Sequence, residues 1–386
     1  MKYIKISFIA TFFAFIALIG VLTLGNNRQI SELEARTLET FKAPDVKGLL
    51  NGTWEKQTDT AFSDQLEFRD FFVSAYYKIT FKSYTGDVVQ GEGNHLFTAE
   101  QKIDDWADYE AKLIKSAEAI NKTADELAKN GTKFIFVSIP RKDAVLCDAL
   151  PEYYTSSDEI YIKAMDVLCS NFNENVIVID AYTLFNTLPD KGESCYFTTD
   201  HHITVNGGMV IYDSIMEQMK NDGFEVQPLT IEDYNVQNVT INGSFNRLLG
   251  NSVSAPPEPL LISLKNQDFE YSRKENGKNS SKAIWGKNTN TYAGAYMDDD
   301  NEETIVTTSN TEYPNVLITG SSFTNILEAL MVPSCHTMAS IDYRYNETNK
   351  TLIEYAKEAE ADYVLFVPSQ SNDALNNYAI NTHLGK

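Results

Sequence analysis

The sequence predicts an α/β domain built on a parallel sheet, carried behind an N-terminal transmembrane helix. Three observations predict it: four short continuous apolar runs, helical spacing of apolar residues between them, and one uncharged apolar stretch at the start. Runs that are apolar throughout, without alternation, mark strands buried on both faces. Parallel sheets with helical crossovers bury their strands in that way.

The opening stretch is ISFIATFFAFIALIGVLTLG, Ile6 to Gly25, preceded by Lys2 and Lys5. Twenty helical residues rise about 30 Å, the thickness of a bilayer's hydrocarbon core. Lysines ahead of the run predict a cytoplasmic start and an extracytoplasmic remainder. A cleaved signal peptide is the other reading of such a segment. The length of the run, with no clear small-x-small cleavage site before Asn26, favours a retained anchor over residues 1–27.

About 360 residues follow, enough for one large domain with a substantial core and an appendage. Residues 28–98 contain helix-like stretches such as ISELEARTLETF and SDQLEFRDFFVSAYYKITFKSY, without a strong sheet signal. They read as a membrane-proximal helical extension. The main domain takes in 99–386. Trp106, Tyr109, Leu113, Ala117, Ile120, Ala124 and Leu127 recur on one face of a long helix. Asn130-Gly131 ends it, because glycine accepts the left-handed cap.

The four apolar runs are KFIFVSIP, NVIVIDAY, NVLITG and DYVLFVP. A second helix carries Val205, Met209, Tyr212, Met216 and Met219, with Thr204 as N-cap and Gly223 as stop. Between about 224 and 313 the periodicity weakens. SAPPEP breaks regular structure and ENGKNSSK reads as a polar loop. NVTING, PLLISL and TIVTTS predict a strand-rich insertion elaborating one edge.

A net charge of −22 sets nucleic acid and anionic lipid surfaces aside as partners, since both would repel the chain. Cys147, Cys169, Cys195 and Cys335 match no zinc spacing. An extracytoplasmic location permits disulfides among them without requiring any, and their spacing does not encode a connectivity.

Chemistry concentrates in TTDHHITVNGG, where Asp200, His201 and His202 adjoin in a chain with only five histidines. A histidine held by an aspartate is a general base that needs a nucleophile. Ser322 supplies one: GSSFTNIL follows the run NVLITG, and a Gly-x-Ser turn from strand to helix exposes the hydroxyl at the sheet's C-terminal edge. The Ser322 backbone N–H is the matching oxyanion donor. Alone, such a turn is equally a small-residue connection. Histidine and aspartate also ligate metals, but His95, His336 and His383 show no ligand spacing around them. Metal-dependent phosphoesterases with an Asp-His-His string carry further aspartate motifs that this chain lacks, so no metal and no cofactor is predicted.

Several segments, in the same order, resemble the bacterial DHHW proteins, related to the alginate O-acetylation proteins of the SGNH-hydrolase-like superfamily. They are SELEARTLETFKAP, FSDQLEFRDFF, CYFTTDHHITVNGG, GSFNRLLG, YAGAYMDDDNEETIVTTSN, VLITGSSFTNIL, SIDYRY and ADYVLFVPSQ, which together run through nearly the whole chain. Two positions depart from the pattern: Ile203 replaces the usual tryptophan, and Ser321 replaces the aspartate of Gly-Asp-Ser.

The resemblance implies an SGNH-hydrolase-like, flavodoxin-like sheet and a triad of Ser322, His202 and Asp200. It implies an anchored extracytoplasmic O-acetyltransferase acting on an exported polysaccharide or cell-wall glycopolymer. A membrane-bound O-acyltransferase would supply the acetyl groups. An acetyl esterase would use the same triad, and a noncatalytic glycan-binding scaffold would use the same fold. Both alternatives stay open at the level of sequence.

Overall fold

The structure is a computed structural model that describes residues 2–31, 36–82, 88–224, 226–286, 289–297, 301–342, 345 and 350–368. Parts of the quoted segments SELEARTLETFKAP, YAGAYMDDDNEETIVTTSN, SIDYRY and ADYVLFVPSQ, and His383, lie outside the described residues. The chain divides into two compact units, one of residues 1–89 with 244–254 and one of 90–243 with 255–386.

In the first unit, α1 (Lys2–Gly25) is the apolar helix, and its stretch Lys5–Gly25 is long and apolar enough to cross a membrane. A two-residue ribbon of β1 (Ile30–Ser31) and β2 (Arg36–Thr37) precedes α2 (Val46–Asn51), α3 (Thr53–Gln65) and α4 (Arg69–Lys82). The block FSDQLEFRDFF lies where α3 meets α4. There the buried Asp64 accepts the Glu39 backbone N–H at 2.9 Å, and Arg69 stands 4.0 Å from its carboxylate.

A hairpin of β3 (Val88–Gln90) and β4 (Leu96–Thr98) leads into α5 (Trp106–Ala128). The seven spaced residues of the sequence lie on α5, Asp105 caps its start, and Gly131 takes φ 81° beyond its end. Next come β5 (Lys133–Ser138), α6 (Lys142–Val145), α7 (Asp158–Asn171), β6 (Val176–Asp180), α8 (Ala181–Asn186) and α9 (Val205–Asn221). A separate ribbon pairs β7 (Tyr234–Thr240) with β8 (Pro257–Leu264), and α10 (Ser244–Leu248) lies between them in sequence. The chain then forms β9 (Tyr271–Glu275), β10 (Lys278–Ser280), α11 (Tyr292–Ala295), β11 (Glu303–Thr308), β12 (Asn315–Gly320), α12 (Thr324–Met331), β13 (Thr337–Ile341), α13 (Leu352–Glu358) and β14 (Tyr363–Val367).

Eight of these strands form one sheet in the order β10-β9-β11-β13-β12-β14-β5-β6. The four apolar runs are β5, β6, β12 and β14. With β13 they make a five-stranded parallel sheet. Alternate residues enter opposite cores: Ile135, Val137 and Leu365 face the α9 and α12 side, while Phe134, Phe136, Val364 and Phe366 face α5 and α13. Burial on both faces explains why these runs are apolar without a break.

The sheet is mixed. β11, β9 and β10 add antiparallel strands at one edge. ENGKNSSK, read from sequence as a loop, is the β9–β10 hairpin. Asn276 and Gly277 take φ 47° and 73°, as a two-residue hairpin turn requires. Its residues are polar because β10 is an exposed edge strand, so hydrophobicity gave no strand signal. All four cysteines are free thiols.

Gly320 ends β12 where it meets β14: a Cβ there would overlap the Val367 carbonyl oxygen and Thr324 Cγ2. Gly320→Ala is expected to cost about 1–3 kcal/mol, the usual penalty for overpacking. A denaturant midpoint unchanged from wild type would contradict this close approach.

Candidate active site

Two loops, each followed by a helix, bring the candidate residues together. The first is closed by a bridge between Tyr196 and Ile203, with the Thr204 N–H donating to the Cys195 carbonyl at 2.8 Å. Asp200, His201 and His202 occupy its tip, and Thr204 Oγ1 caps α9 by accepting the Gly207 N–H. The second loop joins β12 to α12 and holds Ser321 and Ser322.

Gly208, in the first turn of α9, lies against α12. A Cβ there would come within 2.7 Å of Ile326 Cγ1 and 3.2 Å of Leu330 Cδ1. Because Ile326 also lies in the first turn of α12, this approach sets the two helix starts, and their loops, side by side.

His202 Nε2 lies 2.8 Å from Ser322 Oγ, and His202 Nδ1 lies 2.6 Å from Asp200 Oδ1. The same carboxylate oxygen accepts the His202 backbone N–H at 2.9 Å. An ionised carboxylate can only accept, so the ring proton belongs on Nδ1 and Nε2 is left to accept the serine hydroxyl. Asp200 and His202 are buried, whereas Ser322 is partly exposed. The geometry is that of a serine, base and orienting acid.

His201 lies beside this chain of contacts. Its Nδ1 is 3.4 Å from Asp200 Oδ1, its side chain is 35% exposed, and its ring is 3.8 Å from that of His202. One ligand atom from each of Asp200, His201 and His202 lies within 4.8 Å of the others, close enough to hold a metal ion. Both His202 nitrogens already have hydrogen-bond partners, so metal ligation would remove one of these contacts.

Aromatic side chains fix the imidazole. Tyr292 of α11 stacks on His202 at 3.8 Å and 5°, and Phe323 packs at 4.8 Å.

Beneath the loop, the buried Lys142 of α6 donates to the carbonyls of Leu96 (3.0 Å), Phe197 (2.6 Å) and Thr198 (2.7 Å). Glu258 of β8 accepts from the Thr198 backbone N–H and hydroxyl at 2.8 and 2.7 Å. Burial pushes the Lys142 ammonium down to about 7, against the opposing pull of Glu258 and Asp200. Burial also raises the Glu258 carboxyl above its ordinary range. Burial, with the Lys142 charge, lowers His95 to about 3, so that imidazole stays neutral.

All three residues singled out by the sequence meet here, whereas Lys142, Glu258 and Tyr292 were not anticipated. One signal was available for Lys142: it lies just beyond the C-terminal end of β5, where open α/β sheets place their clefts. Ile203, at the family's tryptophan position, is fully buried in the core, so position 203 here is a packing site. Ser321 Oγ is buried without a hydrogen-bond partner.

For Lys142, the unfolded chain holds a proton between pH 7 and 10.5 that the folded chain releases. Wild-type stability is therefore expected to rise through that window by up to about 1 kcal/mol per pH unit relative to Lys142→Met. Parallel pH profiles of the urea midpoint for the two proteins would contradict a buried, depressed lysine.

The family model described as SGNH hydrolase-like domain, acetyltransferase AlgX, matches residues 88–293, which include Asp200 and His202 and stop before Ser322. PatB1 of Bacillus cereus is similar in structure, with a TM-score of 0.61 at 24% identity, over 74% of this chain and 97% of that one. PatB1 with a sulfonyl adduct gives 0.61 at 20%, over 75% and 98%. A DHHW family protein from Eubacterium siraeum gives 0.61 at 16%, over 78% and 96%. At these identities the likeness is one of fold. No curated protein matches the chain. A family match over more than half the chain, on an SGNH-like fold shared with a DHHW protein, means that the chain belongs to the family of SGNH hydrolase-like AlgX acetyltransferase domains.

Proposed function

We propose that the chain is a membrane-anchored, extracytoplasmic O-acetyltransferase acting on hydroxyls of an exported polysaccharide or cell-wall glycopolymer. The observation that carries this reading is the hydrogen-bonded sequence Ser322–His202–Asp200 in a member of an acetyltransferase family. Ser322 Oγ attacks the acyl carbonyl while His202 Nε2 takes its proton. The oxyanion forms against the Ser322 backbone N–H. The leaving group departs with the proton from His202, leaving acetyl-Ser322. A sugar hydroxyl then attacks this ester, passes its proton to His202, and Ser322 Oγ recovers that proton on collapse. Asp200 holds the imidazole in the required tautomer and stabilises it when charged.

Water and a sugar hydroxyl compete for the same acyl-enzyme, so an acetyl esterase is the hydrolytic outcome of the same chemistry. A separate membrane-bound O-acyltransferase is the proposed acetyl source. A net charge of −22 disfavours a polyuronate and favours a neutral or amino-sugar polymer.

Hydrolysis of an acetyl ester by the purified protein tests the triad. Ser322→Ala and His202→Ala are each expected to lower turnover about a thousandfold or more, and the double variant to be little worse, since triad members act as a unit. Asp200→Asn should also lose activity, and His201→Ala should lose much less. Because PatB1 is described with a sulfonyl adduct, a sulfonyl fluoride should modify Ser322 here and spare Ser322→Ala, as read by peptide mass. A folded Ser322→Ala protein with wild-type turnover sinks the nucleophile assignment. Loss of activity on chelation, restored by a divalent ion, would favour the metal reading of Asp200, His201 and His202.

Topology is tested separately. Protease added to wall-stripped cells should digest residues 28–386 without lysis. Protection until lysis would overturn the extracytoplasmic location.

A further inference from the structure

Within the first unit, α4 presents its apolar side outward. Phe71, Phe72, Tyr76 and Ile79 are 69%, 48%, 63% and 69% exposed. With Ala75 they fall within an arc of about 140° at the helical 100° per residue. Ser74, on another side of α4, is covered: a Cβ at Gly250 would come within 2.8 Å of its hydroxyl. A surface helix in water turns its apolar face inward. Here another side of α4 is covered at Ser74 and the aromatic side is open.

The start of α4 is tied to the end of α1. The buried Thr23 accepts the Glu67 N–H on Oγ1 at 3.1 Å. Asn26 Nδ2 donates to the Gln65 carbonyl (2.8 Å) and to Glu67 Oε2 (3.0 Å). Arg28 Nη1 donates to Asp70 Oδ2 at 3.0 Å, and Gln65 Nε2 donates to the Arg28 carbonyl at 2.8 Å. Thr23 lies two residues before the end of the apolar helix, about 3 Å along its axis. In a membrane crossed by α1, these bonds fix the α3–α4 junction, and with it the first turn of α4, at headgroup depth. Phe68, 57% exposed in the same junction, lies at that level too. Aromatic rings with an apolar body and a wet edge favour this layer.

We propose that α4 is an interfacial helix whose Phe71, Phe72, Tyr76 and Ile79 face lies in the headgroup layer of the membrane crossed by α1. The inference rests on α1 being a retained span. It identifies the lipid surface as what covers this face. The strongly acidic chain makes a zwitterionic surface the fitting one.

The test uses the full chain in phosphatidylcholine vesicles, with Cys147→Ser and Cys169→Ser so that only introduced cysteines react. A nitroxide is attached in turn to Phe71→Cys, Phe72→Cys, Tyr76→Cys and Ile79→Cys, with Tyr77→Cys as reference. Collision with oxygen, which enters lipid, is compared with collision with a nickel chelate, which stays in water. The oxygen-to-nickel ratio is expected to be severalfold higher at the four face positions than at 77, following the helical period. Nickel-dominated collision at all positions, in a chain that floats with the vesicles after a carbonate wash, overturns the inference and leaves the span intact. Nitroxides on the face shielded from both reagents would mean that protein covers it, which also overturns the inference. A chain that does not float overturns the span and the inference together.

Discussion

The candidate site depends on how closely α9 and α12 approach at Gly208. Asp200 and His202 are carried by one chain segment and Ser322 by another 120 residues away, so no local turn can bring them together. The approach does so because both helices begin within a few residues of the candidate side chains. Gly208 and Ile326 each lie in a first turn, and contact between first turns leaves the preceding loops no room to diverge. Short loops then transmit helix position to side-chain position with little slack, which is how a rigid scaffold sets a geometry near 2.8 Å.

A second constraint is electrostatic. Asp200 is a buried carboxylate, and a buried charge needs compensation. Lys142 supplies a nearby cation when protonated, and its Nζ hydrogen-bonds to the carbonyls of Leu96, Phe197 and Thr198 without a direct pair to Asp200. Lys142 holds the loop backbone, while Asp200 Oδ1 bonds to the histidine. Glu258 bonds Thr198 from β8, so side chains of two elements hold the same short segment.

Much of this was legible in the sequence, for physical reasons that also explain the remainder. β5, β6, β12 and β14 are readable because burial on both faces demands unbroken apolar runs, and α5 and α9 because burial on one face demands a helical period. The β9–β10 hairpin was unreadable because an exposed edge strand has no face to bury. At the site, Asp-His-His and Gly-x-Ser are local strings that chemistry can interpret. Lys142, Glu258 and Tyr292 reach the Asp200 loop only through the fold, and a buried lysine bonded to carbonyls looks in sequence like any surface lysine.

The two departures from the family pattern have different physical meanings. Ile203 fills a fully buried position, so its side chain contributes to packing beneath the loop. Ser321 is the more consequential. A buried hydroxyl without a partner loses hydrogen-bond energy that water would have supplied, about 1–3 kcal/mol in mutational data. It adjoins Ser322, and its hydroxyl brings no charge to the loop between β12 and α12. The Ser322 turn is held by the close approach at Gly320, the Thr324 hydroxyl bonded to the Ser321 carbonyl at 3.0 Å, and the packing of Phe323 against His202. Each of these contacts depends on shape and backbone bonding, so packing and backbone hydrogen bonds hold the Ser322 turn.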